Sequence, residues 1–286
     1  MTSETPWPSL PRHARLPINR CNLPAAILGS ITFQHHPIPL HIDGVEILHR
    51  DLFRRLDVIA QPANRAQYFM DYMVVKFRLE SPDDIGYDPH SKIDRRAANY
   101  RKVIRGWFFN PDGREAAVLK GWVESRFGLT PRFHHRRIDT LNDESYHRFC
   151  QERAEGLYNT NALESQLDLL YTYCQYELRR QSPGETHRTL YRGSNHLARD
   201  RMEDQAQQTD QILLLNNISS FSINPERADE FGDQVIEVCV PLSKIVVSSA
   251  LLPGLLKGEE EILVLGGLYT VKNHDLLPSS QTRIPS

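Results

Sequence analysis

Residues 258–267 read GEEEILVLGG, three acids running directly into an apolar strand. In extended backbone, side chains two apart point the same way, so Glu259 and Glu261 share one face and Glu260 points to the other. Two carboxylates held together at a strand mouth stabilise a developing sugar cation and accept a proton, the chemistry of glycosyl transfer through an oxocarbenium-like transition state. A solvated acidic turn would read the same way in isolation. Upstream, TLYRGSN puts Arg192 near the end of a strand, followed by Gly193, where the missing side chain lets a ligand approach the backbone. NNISSFSIN puts Ser219, Ser220 and Ser222 at another strand end. Taken singly, Arg-Gly also fits a turn and a serine cluster fits a loop.

The elements that must position these groups come in two kinds. From about 44 to 181 the apolar spacing is helical: Leu48, Leu52, Leu56 and Ile59 form one stripe, and Tyr146, Phe149, Cys150, Ala154 and Leu157 another. A further stripe of Leu163, Leu167, Leu170, Cys174 and Leu178 begins after Asn161, a candidate N-cap. After Gln181 the period changes. HRTLYRGS, QVIEVCVP, KIVVSS, EILVLG and LYTVKN are short, rich in Val, Ile and Leu, and separated by Pro, Gly or Ser, so they read as separate strands. One helix interrupts them in SINPERADEFG, with Asn224 as cap, Pro225 at the first helical position and Glu226 at the positive end of the dipole. The predicted class is α+β. Residues 1–40, rich in Pro and His, read as an extended or partly disordered arm, 41–181 as a mainly helical lobe, and 182–286 as a sheet-rich catalytic lobe packed with it as one unit.

The 286 residues carry a formal charge of −2, which gives no global pull towards nucleic acid or an anionic membrane. No run of about 18 apolar residues exists and the N-terminus lacks a secretory signal core, so a cytoplasmic protein that spans no membrane is expected. Cys21, Cys150, Cys174 and Cys239 are far apart and read as reduced core residues. The pairs His35-His36 and His134-His135 are adjacent, so their rings are expected to diverge, and with no HExxH spacing no metal is expected. The basic stretch PRFHHRRID, 131–139, reads as a solvated face or a patch for an acidic partner before it reads as a nucleic-acid surface. Neither a P-loop nor GxGxxG after a strand is present, so any dinucleotide is bound without a Rossmann fold.

In order along the chain, strand-Arg-Gly, a Ser-x-Ser strand end, a helix ending in Phe-Gly and a strand headed by Glu-x-Glu resemble the Arg-Ser-Glu class of mono-ADP-ribosyltransferases. The motifs span roughly 186–273. With its helical first half and its length, the whole chain is similar to the dinitrogenase reductase ADP-ribosyltransferase family, bacterial enzymes that switch off nitrogenase. The resemblance implies an ADP-ribosyltransferase fold, split antiparallel or mixed sheets forming an NAD cleft, and NAD as a consumed substrate. It implies that Arg192 contacts NAD near its phosphates and ribose and that the Gly193 backbone binds the nicotinamide carboxamide. Arginine suits this because its planar donor fork stays charged and matches phosphate oxygens. It implies that Ser220 braces the catalytic glutamate with Ser222 in support, that Asn217 lies near the phosphates, and that Phe231 either stacks on nicotinamide or belongs to the core.

Glu261 would be the catalytic glutamate, bonding the nicotinamide-ribose hydroxyl and supporting positive charge. Glu259 would orient an arginine acceptor and take its proton, because Glu-x-Glu members tend to modify arginine. Glu260 points away and serves as an internal control. Leu256 stands where arginine-modifying relatives often carry an aromatic, in the 248–258 loop expected to meet the protein target. The expected target is dinitrogenase reductase, the nitrogenase iron protein, with a PII nitrogen-signalling protein as regulator. The competing readings are an NAD glycohydrolase, transfer to an arginine of a different protein, or a binding module with a decayed site.

Overall fold

The computed structural model describes residues 7–80, 98–158, 160–195, 197–202, 211–252 and 261–274. Helices dominate the first part and strands the second, as an α+β chain. α1 (Ala25–Leu28) and α2 (Ile31–His35) are short; α3 (Val45–Leu48), α4 (Arg50–Asp57) and α5 (Pro62–Phe77) follow. Next come α6 (Tyr100–Phe109), α7 (Arg114–Phe127), a small hairpin of β1 (Phe133–His134) and β2 (Arg136–Arg137), α8 (Glu144–Gly156) and α9 (Ala162–Gln181). The second part holds β3 (His187–Ser194), α10 (Leu197–Asp200), β4 (Gln211–Ser222), α11 (Pro225–Asp229), β5 (Gln234–Pro241), β6 (Ile245–Ser248) and β7 (Glu261–His274). Among the described residues no helix is long and apolar enough to cross a membrane.

The stripe read from Leu48 to Ile59 is broken at His49, where the backbone leaves the helical region between α3 and α4. Leu48 is consequently exposed while Leu52 and Leu56 are buried. Asn161 does sit ahead of α9, but its side chain makes no capping bond; the Thr160 hydroxyl accepts from the Ala162 N–H instead, at 3.1 Å. α9 is the central helix. Its Tyr171 hydroxyl donates to the Ser243 carbonyl at 2.8 Å, and Gln175 Nε2 donates to the carbonyls of Leu242 and Ile245 at 3.0 and 2.7 Å, tying it to the start of β6. Arg65 of α5 forms a two-point ion pair with Glu177 of α9 (2.6 and 2.9 Å), and Arg126 of α7 does so with Asp168 (2.8 and 3.0 Å). All four groups are almost wholly withdrawn from water, so losing one partner would strand a buried charge.

Among the described residues β3–β7 form one antiparallel sheet in the order β4-β3-β5-β7-β6, with β4 also pairing β7. EILVLG and LYTVKN, read as two strands, are one: β7 passes through both glycines without a break. It passes through them bent. Ser222 pairs with Glu261 and with Tyr191, Tyr191 pairs with Glu237, and Glu237 pairs with Lys272. Four cross-strand steps of about 5 Å connect Glu261 to Lys272, whereas a straight strand between them would be about 36 Å long. The ladder closes only because β4 and β7 bend at the same level. β4 slips register between Leu215 and Ile218, Gly266 leaves room for the Asn216 carbonyl, and Gly267 takes φ +108°.

Residues 7–40 are not an extended arm. Leu10, Ala14, Ala25, Leu28, Ile31, Phe33 and Leu40 join the same core cluster as α9 and the sheet, and the Gly29 carbonyl accepts from the Leu268 N–H at 2.8 Å. Where β5 and β7 diverge, the buried Gln34 side chain fills the seam. Its Nε2 donates to the carbonyls of Cys239 and Thr270 (3.2 and 3.0 Å), and its Oε1 accepts from the Thr270 N–H (2.7 Å). All four cysteines are free thiols, but Cys239 lies exposed rather than in the core, on the outer face of β5.

Candidate active site

β4 carries Ser220 and Ser222 two apart, on one face, and Glu261 is the cross-strand partner of Ser222. The three side chains therefore leave the same face of two adjacent strands. β3 reaches this place through the Tyr191–Ser222 pair, which brings the neighbouring Arg192 to the end of β4. The Arg192 guanidinium donates from Nη1 to the Ser220 carbonyl at 2.7 Å. Burial pushes its pKa down, while the carboxylates of Asp200 and Glu261 pull the other way and favour the cation. Glu261 is half-buried at the head of β7, with its Oε2 shielded from solvent. The structure thus brings Arg192, Ser220, Ser222 and Glu261 together. Glu259 and Glu260, with Leu256 and the rest of 253–260 from the loop expected to meet the protein target, lie outside the described residues.

Ser222 also ends the strand. Its hydroxyl accepts from the Asn224 N–H (3.0 Å), and Asn224 Oδ1 caps α11 by accepting from the Glu226 N–H (2.9 Å), with Pro225 in the first turn. This places the short α11 against β3. A Cβ on Gly193 would lie 1.9 Å from the Ala228 carbonyl, and one on Gly232 would lie 2.5 Å from Ser194 backbone atoms. Gly193 is therefore required by the packing of α11 on the strand, whatever else its backbone contacts. Phe231, between the two, is 62% exposed, which removes the core explanation for it and leaves an aromatic face open to solvent beside the strand ends.

Asn217 does not face this site. It sits in the register slip of β4, and its Nδ2 donates to the carbonyls of Lys120 (2.8 Å) and Leu129 (3.0 Å), so both amide hydrogens are spent on docking the sheet to the helical part. Asn216 beside it accepts from the Arg132 N–H (2.9 Å) and donates to the Phe133 carbonyl (3.0 Å). Spacing from the serine cannot reveal this, because the slip turns both asparagines out of the regular alternation. Nor is the basic stretch 131–139 a bare cationic face: Arg132 lies 3.9 Å from Asp200, Arg137 pairs with Asp139 at 2.6 Å, and His134 and His135 both reach Glu152.

One residue that the motifs do not mark reaches the centre. Trp107 of α6, 4% exposed, donates its indole Nε1–H to the Ser220 hydroxyl at 2.9 Å. α6 is fixed for this by Asn99, whose side chain accepts from the Arg101 N–H. Gln166 of α9 holds the preceding residues through the Tyr100 N–H (2.8 Å) and the Ala98 carbonyl (3.1 Å). Gly106 lets α6 close on Glu115 of α7, where a Cβ would meet the Glu115 side chain at 2.5 Å. In sequence Trp107 is one aromatic in an amphipathic helix and carries no separate signal.

An anchored guanidinium, a braced hydroxyl, a shielded carboxylate and an open aromatic ring form a set suited to an anionic ligand whose other end becomes cationic. The family model described as dinitrogenase reductase ADP-ribosyltransferase (DRAT) matches residues 18–273. A protein named NAD(+)--dinitrogen-reductase ADP-D-ribosyltransferase, from Rhodospirillum rubrum, is 37% identical over 258 residues, covering 89% of this chain and 93% of that relative. No solved structure matches the chain significantly.

Proposed function

The chain belongs to the dinitrogenase reductase ADP-ribosyltransferase family, and from that premise we propose that it transfers ADP-ribose from NAD to an arginine of dinitrogenase reductase, inactivating nitrogenase. The observation that carries this reading is the meeting of Arg192, Ser220 and Glu261 at the Ser222–Glu261 strand pair. NAD is a substrate that is consumed, bound in the cleft between the bent halves of the sheet.

Arg192 holds the pyrophosphate side of NAD through donors not used on Ser220, and the Gly193 backbone meets the nicotinamide amide. Phe231 stacks on the pyridine ring. Glu261 accepts the hydroxyl of the nicotinamide ribose and stabilises the positive charge that grows as the glycosidic bond stretches. Nicotinamide leaves as a neutral ring, so no general acid is needed. Glu259 then orients the acceptor guanidinium, a poor nucleophile while protonated, and takes its proton as the nitrogen attacks the sugar carbon. Water in place of the guanidinium gives hydrolysis. A PII-type nitrogen-signalling protein as regulator, and a cytoplasmic location beside the target, belong to the same proposal.

Incubating the purified chain with labelled NAD and dinitrogenase reductase tests it. Label is expected on one arginine of the target. Glu261→Gln should lower both transfer and NAD hydrolysis by on the order of 10²-fold or more. Glu259→Gln should abolish transfer and spare hydrolysis, and Glu260→Gln should change little. Equal losses at all three positions, or nicotinamide release that never labels protein, would overturn the assignment in favour of a folding effect or an NAD glycohydrolase.

A further inference from the structure

Adjacent histidines in an extended strand point to opposite faces, and the sequence leads one to expect this of His134 and His135. The structure departs from it at a single backbone torsion. His135 is the turn residue between β1 and β2 and has φ +57°, in the left-handed region that a residue with a Cβ enters at a cost. The alternation is lost, the two rings lie edge to face with centroids 4.7 Å apart, and both Nε2 atoms turn to the same oxygen. Glu152 Oε2 of α8 is 2.9 Å from His134 Nε2 and 3.2 Å from His135 Nε2. The three ligand atoms all lie within 4.8 Å of one another.

We propose that His134, His135 and Glu152 form a zinc site, three protein ligands with a water in the fourth position, which clamps the β1–β2 hairpin to α8. The donor set is what zinc takes in an open tetrahedral site: two imidazole nitrogens and a carboxylate oxygen at about 2.0–2.2 Å, hence about 3.3 Å from one another. The two histidine–carboxylate separations, 2.9 and 3.2 Å, need to open by only a few tenths of an ångström, and the two ring nitrogens already lie within 4.8 Å of each other. The side towards solvent is open for the water, with His135 31% and Glu152 20% exposed. The other side is built. His134 is buried with the Phe149 ring edge-on at 5.6 Å, and Arg148 donates to Glu152 Oε1 at 3.0 Å, orienting the carboxylate so that Oε2 faces the histidines.

The charged groups around the site are Lys120 from α7, Asp112 ahead of it, and Arg148 and Glu152 on α8. Lys120 Nζ contacts Asp112 Oδ1 (3.1 Å), the Phe133 carbonyl (2.9 Å) and His134 Nδ1 (3.2 Å), and Asp112 lies 3.8 Å from that same ring nitrogen. With lysine donating to Nδ1, the His134 proton sits on Nε2 and points at Glu152. Zinc takes the place of that proton, which leaves to solvent. The hydrogen shared between Lys120 and His134 moves onto Nδ1, so the metal-bound imidazole stays neutral and donates to the lysine amine. One proton is released from this ring for each ion bound, and Asp112 remains as the nearby counter-anion.

The full chain, stripped with a chelator and dialysed, is titrated with Zn²⁺ alone by calorimetry in two buffers of different ionisation enthalpy. Metal content and Tm are measured in parallel. One saturable Zn²⁺ per chain is expected, with proton release, a Tm rise that the chelator reverses, and an intense four-coordinate visible band when Co²⁺ replaces zinc. His135→Ala and Glu152→Gln, both near the surface, should each lose the stoichiometric binding while His147→Ala, exposed on the same helix, keeps it. Absence of saturable binding by the wild-type chain would overturn the proposal. So would wild-type stoichiometry and affinity in folded His135→Ala, since the ion would then lie elsewhere.

Discussion

Trp107 shows how a residue without a motif can belong to the chemistry. A serine hydroxyl has one proton and two lone pairs, so an indole N–H on one lone pair fixes the direction in which the serine proton can be given. Trp107→Phe keeps a six-membered aromatic ring and removes the donor together with the pyrrole half of the indole. A hydrogen bond worth about 1.4 kcal/mol in the transition state predicts a kcat about 10-fold lower. The KM for NAD should stay near the wild-type value while Tm falls modestly with the lost packing, and steady-state nicotinamide release is the readout. A raised KM with unchanged kcat would make Trp107 a packing residue only. Gly193→Ala belongs to the same scale with a different outcome. The new methyl meets the Ala228 carbonyl, so α11 must shift, with a loss of about 1–3 kcal/mol in chemical denaturation and of NAD binding together. That Arg192, Ser220, Ser222 and Glu261 belong together was suggested by the order of their motifs, the feature that carries the family resemblance, and the strand pairing brings the four to one place. The places of Asn217 and Trp107 were not legible in the sequence. One is turned by a register slip, and the other arrives from a helix more than a hundred residues before the serine it serves.

Among the elements, β7 is the one whose reading changed most. Two glycines in succession look like the end of a strand, yet here they let one long strand bend without stopping, because the partner strand slips register at the same level. A bend shared by two strands cannot be read from either alone. The seam it opens between β5 and β7 is filled by Gln34, from a segment whose Pro- and His-rich composition suggested an extended or partly disordered arm. Gln34→Leu has a similar volume but no polar groups, leaving the Cys239 carbonyl and the backbone N–H and carbonyl of Thr270 without their side-chain partner. A loss of about 2–3 kcal/mol is expected, measured as a lower urea midpoint with an unchanged m-value. A neutral result would mean that water fills the seam equally well.

For the molecule as a whole, the fold class and the helical-then-sheet order were plain from the change of period near residue 181, since helix and strand spacings differ everywhere along the chain. The single core joining both parts was less visible, and one of its features governs stability against pH. Lys244 is fully buried, donates to the Gly266 carbonyl at 3.1 Å and lies 4.3 Å from the Tyr269 ring centre, and burial lowers its pKa from 10.5 to about 7. The unfolded chain holds the proton up to its higher pKa, so between pH 7 and 10.5 it binds more protons than the native chain. This lysine therefore makes the fold progressively less stable as pH falls through that window, and its effect levels off below about 7. Lys244→Met should be more stable than wild type at pH 7 by a few kcal/mol, on the order set by 1.4 kcal/mol per pKa unit, with the gap closing towards pH 10. Thermal unfolding of both proteins across that range measures it; a gap that does not vary with pH would assign Lys244 a charge-independent role. The Gln34 contacts have a further consequence. They join positions 236 residues apart, so a nascent polypeptide leaving the ribosome carries the Gln34 segment unsatisfied until Thr270 has been made. The sheet that bears the glutamate cannot be completed until β7 has left the ribosome, and a chain terminated before it leaves both the seam and its filler exposed to chaperones and proteases.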